Sequence, residues 1–176
     1  MAAPRLKNSV GIWAFGPNVT RFVPSGYHPE VAAENMVART RRVVDGLGPW
    51  VDGLEYHYPG EINDDSAEAI RRAMGPVDLY AIPLGTFADP AFALGTFINP
   101  DPAKRRATVE TCRRAIDLCA DWGLVWPGAE GYNYPFQRNL SETWGWFLDG
   151  LAEVVQACNA KGVRFLLEHK NSEPAM

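Results

Sequence analysis

The 176-residue chain has three cysteines and three histidines, no excess of positive charge, and no apolar run long enough to cross a bilayer. Cys112, Cys119 and Cys158 are an odd number, and the first two lie seven apart in a helical pattern. They read as small core residues in a reducing cytosol and not as a disulfide framework. The N-terminus, Met1-Ala-Ala-Pro-Arg-Leu-Lys7, has no run of signal-peptide length, and without secretion the sequons at Asn18 and Asn139 carry no weight. A formal charge of -4 and a pI near 5.4 give no general attraction to phosphate backbones or anionic lipid. Nucleic acid and membrane are therefore not expected as partners. No G-x-G-x-x-G follows the first strand-like run and no G-x-x-x-x-G-K-[ST] occurs anywhere, which removes the two commonest phosphate-cradling forms of a doubly wound sheet.

What is present is an ordinary globular composition, 47% hydrophobic and 22% charged, enough for a single domain over residues 1–176. Five apolar, β-favouring runs, Ser9–Phe15, Val51–His57, Val77–Leu84, Leu124–Trp126 and Val163–Glu168, each precede a turn-forming cluster. Helical patterns lie between them at His28–Leu47, Asp65–Met74, Pro102–Trp122 and Ser141–Lys161. In the third, Cys112, Ala115, Ile116 and Cys119 fall at i, i+3, i+4 and i+7, Asp101-Pro102 supplies a cap and a first-turn proline, and Gly123 punctuates the end. Glu142 stands early in the fourth, and Gly162 follows its last residue.

Strict β, α alternation implies an α/β fold with parallel strands, and ligands then sit at the carboxyl ends of the strands. With the phosphate-binding fingerprints missing, a (β/α) TIM-barrel type gains weight. Eight strands need about 250 residues. The expectation is therefore an incomplete barrel of roughly β1–β5, with β1 and β5 left as open edges.

The chemistry-bearing residues fall at those strand ends. Glu168 closes the apolar run Val163-Arg-Phe-Leu-Leu167, where a carboxylate suits Mg²⁺ or Mn²⁺, and Lys170 shares its face two residues on. Spacing alone leaves equally open a surface salt bridge among Glu168, Lys170 and Glu173. His57, at the end of the second run, can transfer protons near neutrality or can be a hydrogen-bonded loop histidine. His28 lies at a helix start, and His169 alternates away from Glu168. Trp13, Phe15, Phe87, Phe92, Phe97 and Trp126 form either a substrate wall or core.

Taken in order, five turns resemble the N-terminal part of the xylose isomerase-like sugar isomerase and epimerase barrels. Val10-Gly-Ile-Trp13 resembles the family's first strand, and Leu54-Glu-Tyr-His57 its second. Pro83 to Asp101 resembles the loop after the third, Val125-Trp126-Pro-Gly-Ala-Glu130-Gly131 the turn after the fourth, and Glu168-His-Lys170-Asn-Ser-Glu173-Pro174 the fifth strand's Glu-Pro-Lys-Pro-Asn-Glu-Pro. The resemblance implies a cytoplasmic, homo-oligomeric, metal-dependent enzyme turning an aldose into a ketose by hydride shift. Glu168 would be a metal ligand, Lys170 would touch the oxygen at C1, and His57 would assist ring opening. Trp13, Phe87, Trp126 and Glu130 would contact the sugar, with Glu61 and Glu173 supporting. Mg²⁺ or Mn²⁺, with Co²⁺ as a further choice, would draw most ligands from beyond Met176, leaving this chain inactive alone. Three departures leave the sugar open: Gly60 stands where the family has an aspartate, with Glu61 adjacent; Ala129 replaces an arginine; Pro83-Leu84 replace threonines. The rival readings are an epimerase working by proton transfer and a non-catalytic or oligomer-dependent fragment. A related DNA-repair barrel would need a basic groove, against which the acidic pI argues.

Overall fold

The computed structural model describes residues 5–118, 122–125 and 138–168, without the side chains of Phe87 and of residues 122–125. Cys119, Trp126, Glu130, Lys170 and Glu173 lie outside the described residues.

Five strands, β1 (Ser9–Gly11), β2 (Gly53–Glu55), β3 (Asp78–Pro83), β4 (Trp122–Val125) and β5 (Arg164–Leu167), alternate with four helices. The helices are α1 (Met36–Leu47), α2 (Ala67–Met74), α3 (Pro102–Leu118) and α4 (Leu140–Lys161). All four strand pairings are parallel, in the order β1-β2-β3-β4-β5, and the sheet is open.

Strand alternation decides which face the helices cover. Leu54, Tyr56 and Tyr58 are all buried, and the ladder runs on past β2 because the N–H groups of Tyr56 and Tyr58 donate to the carbonyls of Ala81 and Pro83. These side chains join Val43, Ile70, Met74, Val109 and Ile116 in the core. Ser9, Gly53, Glu55 and Tyr80 share the opposite face. Ser9 Oγ donates to Glu55 Oε1 at 2.6 Å, and a Cβ on Gly53 would stand 2.9 Å from that of Tyr80. In β5, Phe165 packs on the core, so Arg164, Leu166 and Glu168 point to the uncovered face.

Helix starts follow capping chemistry. Asp101 Oδ1 accepts from the Ala103 N–H at 2.8 Å, as the Asp-Pro pair led one to expect, and Thr108, Val109, Cys112, Ala115 and Ile116 make the buried stripe of α3. Gly162, at φ 71°, closes α4 in the left-handed region.

Several boundaries differ from the sequence reading. β1 stops at Gly11, and Ile12–Phe15 is a 3₁₀ turn. Pro29–Val31 is likewise a separate 3₁₀ turn, and α1 starts only at Met36, where Asn35 Oδ1 accepts from the Ala38 N–H. Trp122 and Gly123 belong to β4 and not to the end of α3: they pair with Ala81 and Ile82 on one side and with Arg164 and Phe165 on the other. The cap of α4 is Asn139, two residues before the expected start.

Candidate active site

The candidate site is built at the carboxyl end of β2. Alternation places His57 on the uncovered face, two residues beyond Glu55. The chain then turns back: the Glu61 and Ile62 N–H groups both donate to the His57 carbonyl, and Ile62 is fully buried, anchoring the turn. Glu61 is thereby brought over His57. Its Oε2 accepts from the His57 backbone N–H at 2.8 Å and meets the ring Nδ1 at 3.0 Å. A carboxylate only accepts, so Nδ1 is the donor to Glu61, and in the neutral form of the ring Nε2 is then the acceptor nitrogen. Both side chains are more than four-fifths buried, so this pair is less screened than an exposed salt bridge.

The indole of Trp13 lies against the imidazole, with ring centroids 4.2 Å apart and planes tilted by 47°. Trp13 is 39% exposed, so the stack forms a wall on the open side. From the third strand's loop, Gly85 donates its N–H to Tyr58 O at 2.7 Å, and a Cβ there would lie 3.3 Å from that of His57. Beneath the rim, burial pushes the hydroxyls of Tyr56 and Tyr58 up to about 12. In Tyr58 its hydrogen bond to Asp64 adds to this.

Glu168 follows β5 at the same edge and on the same face as His57, and is exposed. Three strand spacings separate β2 from β5, about 14 Å along the sheet, so the two groups do not touch. Lys170, the partner read from sequence, falls outside the described residues, as do Trp126, Glu130 and Glu173. The backbone of Phe87 lies in the 3₁₀ turn Thr86–Ala88. Phe97 is buried, edge-on to Phe147, and is core and not wall. His28 is exposed beside Glu30.

The chain matches, over residues 24–175, the model of the xylose isomerase-like TIM barrel. It belongs to that family. Among curated relatives, the xylose isomerase of Thermus thermophilus is 31% identical over 125 residues, covering 66% of this chain and 32% of that protein. That of Thermus caldophilus is 30% identical over the same shares. The chain thus spans about a third of the length of the curated relatives it matches. A crystal structure of a D-tagatose 3-epimerase-like protein superposes with a TM-score of 0.62 at 17% identity, covering 97% of this chain and 55% of that one. At that identity the likeness speaks to fold, and the fold is of the TIM-barrel type with parallel strands in an unclosed sheet.

A divalent ion of the kind the family resemblance implies is octahedral, with about six oxygens of which one or two are commonly carboxylates and the rest water and substrate. Among the described residues no three histidine, cysteine or acidic side chains converge. Glu168 alone does not make a metal centre, and the described residues do not by themselves fit the ion.

What sequence reading missed is the framework around the pair. Gly11 makes room for the Trp13 ring, and Glu34 with Arg42 braces the turn that carries it. No local motif signals either, because both depend on a 3₁₀ turn whose residues have strand composition.

Proposed function

We propose that this chain is the strand β1 to β5 part of a sugar isomerase interconverting an aldose and a ketose. The observation that carries the reading is the Glu61–His57–Trp13 assembly at the rim of a family member, on the same face as Glu168. An indole against a proton-transferring imidazole suits a sugar, whose C–H faces pack on aromatic rings while its hydroxyls meet polar groups. With Nδ1–H held by Glu61, the basic Nε2 takes the proton of the anomeric hydroxyl as the ring C–O bond breaks, and returns it to the ring oxygen.

Part of the proposal is a divalent ion, Mg²⁺ or Mn²⁺ (with Co²⁺ as a further choice), taking Glu168 as one ligand and the others from outside the described residues. It would polarise the substrate oxygens. Lys170 is proposed to hydrogen-bond the carbonyl oxygen of the opened sugar, Trp126, Phe87 and Glu130 to line the sugar, and Glu173 to support Lys170. Also proposed are a homo-oligomeric intact protein and a cytoplasmic location. Among the described residues no helix is long and apolar enough to cross a membrane.

The test is turnover of aldopentoses and aldohexoses by the intact protein in deuterated water with Mg²⁺ or Mn²⁺. A ketose without carbon-bound deuterium is the expected product. Carbon-bound deuterium in an inverted sugar would give the epimerase reading instead, and no turnover of any sugar would overturn both.

A further inference from the structure

We propose that the Glu34–Arg42 pair is a positioning device for the candidate site: it fixes the turn that holds the Trp13 indole against His57. The inference deepens the isomerase reading and rests on it for its purpose, while the contacts stand independently.

The device begins on α1. Arg42 Nε and Nη2 donate to the two carboxylate oxygens of Glu34 at 2.9 and 2.8 Å, a bidentate fork. The same Nη2 donates to the Phe15 carbonyl at 2.8 Å, at the end of the 3₁₀ turn that contains Trp13. One helical turn earlier, Arg39 Nε lies 3.6 Å from Glu34 Oε2, and its Nη1 lies 3.2 Å from where a Cβ on Gly16 would stand. Two arginines of one helix thus straddle one carboxylate and press on the turn's last residue and the glycine after it. Glu34 is largely buried, and the hydrogen bond from Arg42 holds its carboxyl below the usual range.

The other end of the turn is held by packing. Ile12 is fully buried, and the Gly16 N–H returns to the Trp13 carbonyl at 3.1 Å. Trp13 therefore stands between an apolar anchor and an ionic clamp, with its ring filling the space that a side chain on Gly11 would need. Turning the indole away removes the wall beside the imidazole without touching His57 or Glu61. Arg42 is a surface arginine by sequence, yet one guanidinium joins helix, loop and site wall.

The experiment is NMR of histidine-labelled full chain, with His57 assigned by its loss in His57→Gln and its unstacked position defined by Trp13→Leu. Indole ring current displaces the His57 ring protons in the stacked state. Arg42→Met is expected to move them at least half-way to the Trp13→Leu position, and Arg42→Lys, which keeps the charge but lacks the fork, to move them less. Arg113→Met, which breaks the ion pairs of Arg113 with Glu110 and Glu153 on α3 and α4, leaves them in place. Should Arg42→Met not fold, Glu34→Gln carries the same test. His57 resonances unmoved by Arg42→Met, or in its place by Glu34→Gln, would overturn the proposal. Turnover is read separately in the intact protein, where Arg42→Met is expected to lower kcat/KM about tenfold. Moved resonances without turnover sink the isomerase reading and leave the clamp standing; turnover with unmoved resonances sinks the clamp alone.

Discussion

At the scale of single residues, a side chain that is not there decides the shape of the site. A Cβ on Gly11 would stand 2.2 Å from the Trp13 ring, although the backbone there, at φ -75° and ψ 126°, accepts any residue. Gly11→Ala is therefore a steric test and not a backbone one. It is expected to cost about 1–3 kcal/mol in urea unfolding, and Gly11→Ala with Trp13→Leu should recover most of that loss. Glu61 gives a second test, since one oxygen serves both the backbone and the ring of His57. Glu61→Ala removes the acceptor of a part-buried N–H, costing about 1–3 kcal/mol, and takes the carboxylate away from the ring. In the intact protein it should lower kcat/KM by about a hundredfold, whereas Glu61→Gln, which still accepts through its carbonyl, should lose less. Much of this was legible in the sequence. His57 stands where a parallel strand delivers its residues, and Glu61 one short turn later. The contact between Trp13 and His57 was not legible, because Ile12-Trp13-Ala14-Phe15 has a strand's composition, whereas in the structure it is a 3₁₀ turn with Ile12 fully buried and the Phe15 carbonyl bonded by Arg42.

At the scale of elements, the joints between helix and strand carry the information. Periodicity found the buried stripe of α3, because burial itself makes that pattern. It misplaced the end of the helix, because Trp122 and Gly123 are taken by a ladder with β3 and β5 that sequence spacing does not contain. The joint between α1 and β2 makes a prediction about pH. Thr40 Oγ1 donates its one proton to the Met36 carbonyl at 2.8 Å, so the Tyr56 hydroxyl, 2.9 Å away, must be the donor to Thr40. A tyrosinate could not donate, and burial already pushes this hydroxyl up to about 12. With the folded value above the unfolded one near 10, the contribution is fully present below pH 10 and is lost as pH rises through about 12. Urea unfolding should show stability falling across that window by about 2 kcal/mol from this group. Tyr56→Phe should flatten part of the fall; an unchanged alkaline slope would argue against the buried donor.

At the scale of the whole molecule, among the described residues the helices cover one face of the sheet and none covers the other, an arrangement parallel sheets seldom tolerate. The bare face is not polar throughout. Ser9 and Glu55 satisfy each other across β1 and β2, but Leu166 is 41% exposed. Among the described residues β5 pairs with β4 alone, so its other edge presents backbone donors and acceptors beside apolar side chains. Such an edge is a template for pairing with a second chain. The isolated chain is therefore expected to associate as its concentration rises. A charge at Leu166 acts on that edge without entering the core, because this side chain faces away from the helices. Leu166→Lys should raise the concentration for half-association at least tenfold in sedimentation or light scattering, with circular dichroism unchanged. Leu148→Lys, on the exposed outer side of α4, serves as the control. If it suppresses association while Leu166→Lys does not, the helical layer and not the open sheet is the adhesive surface.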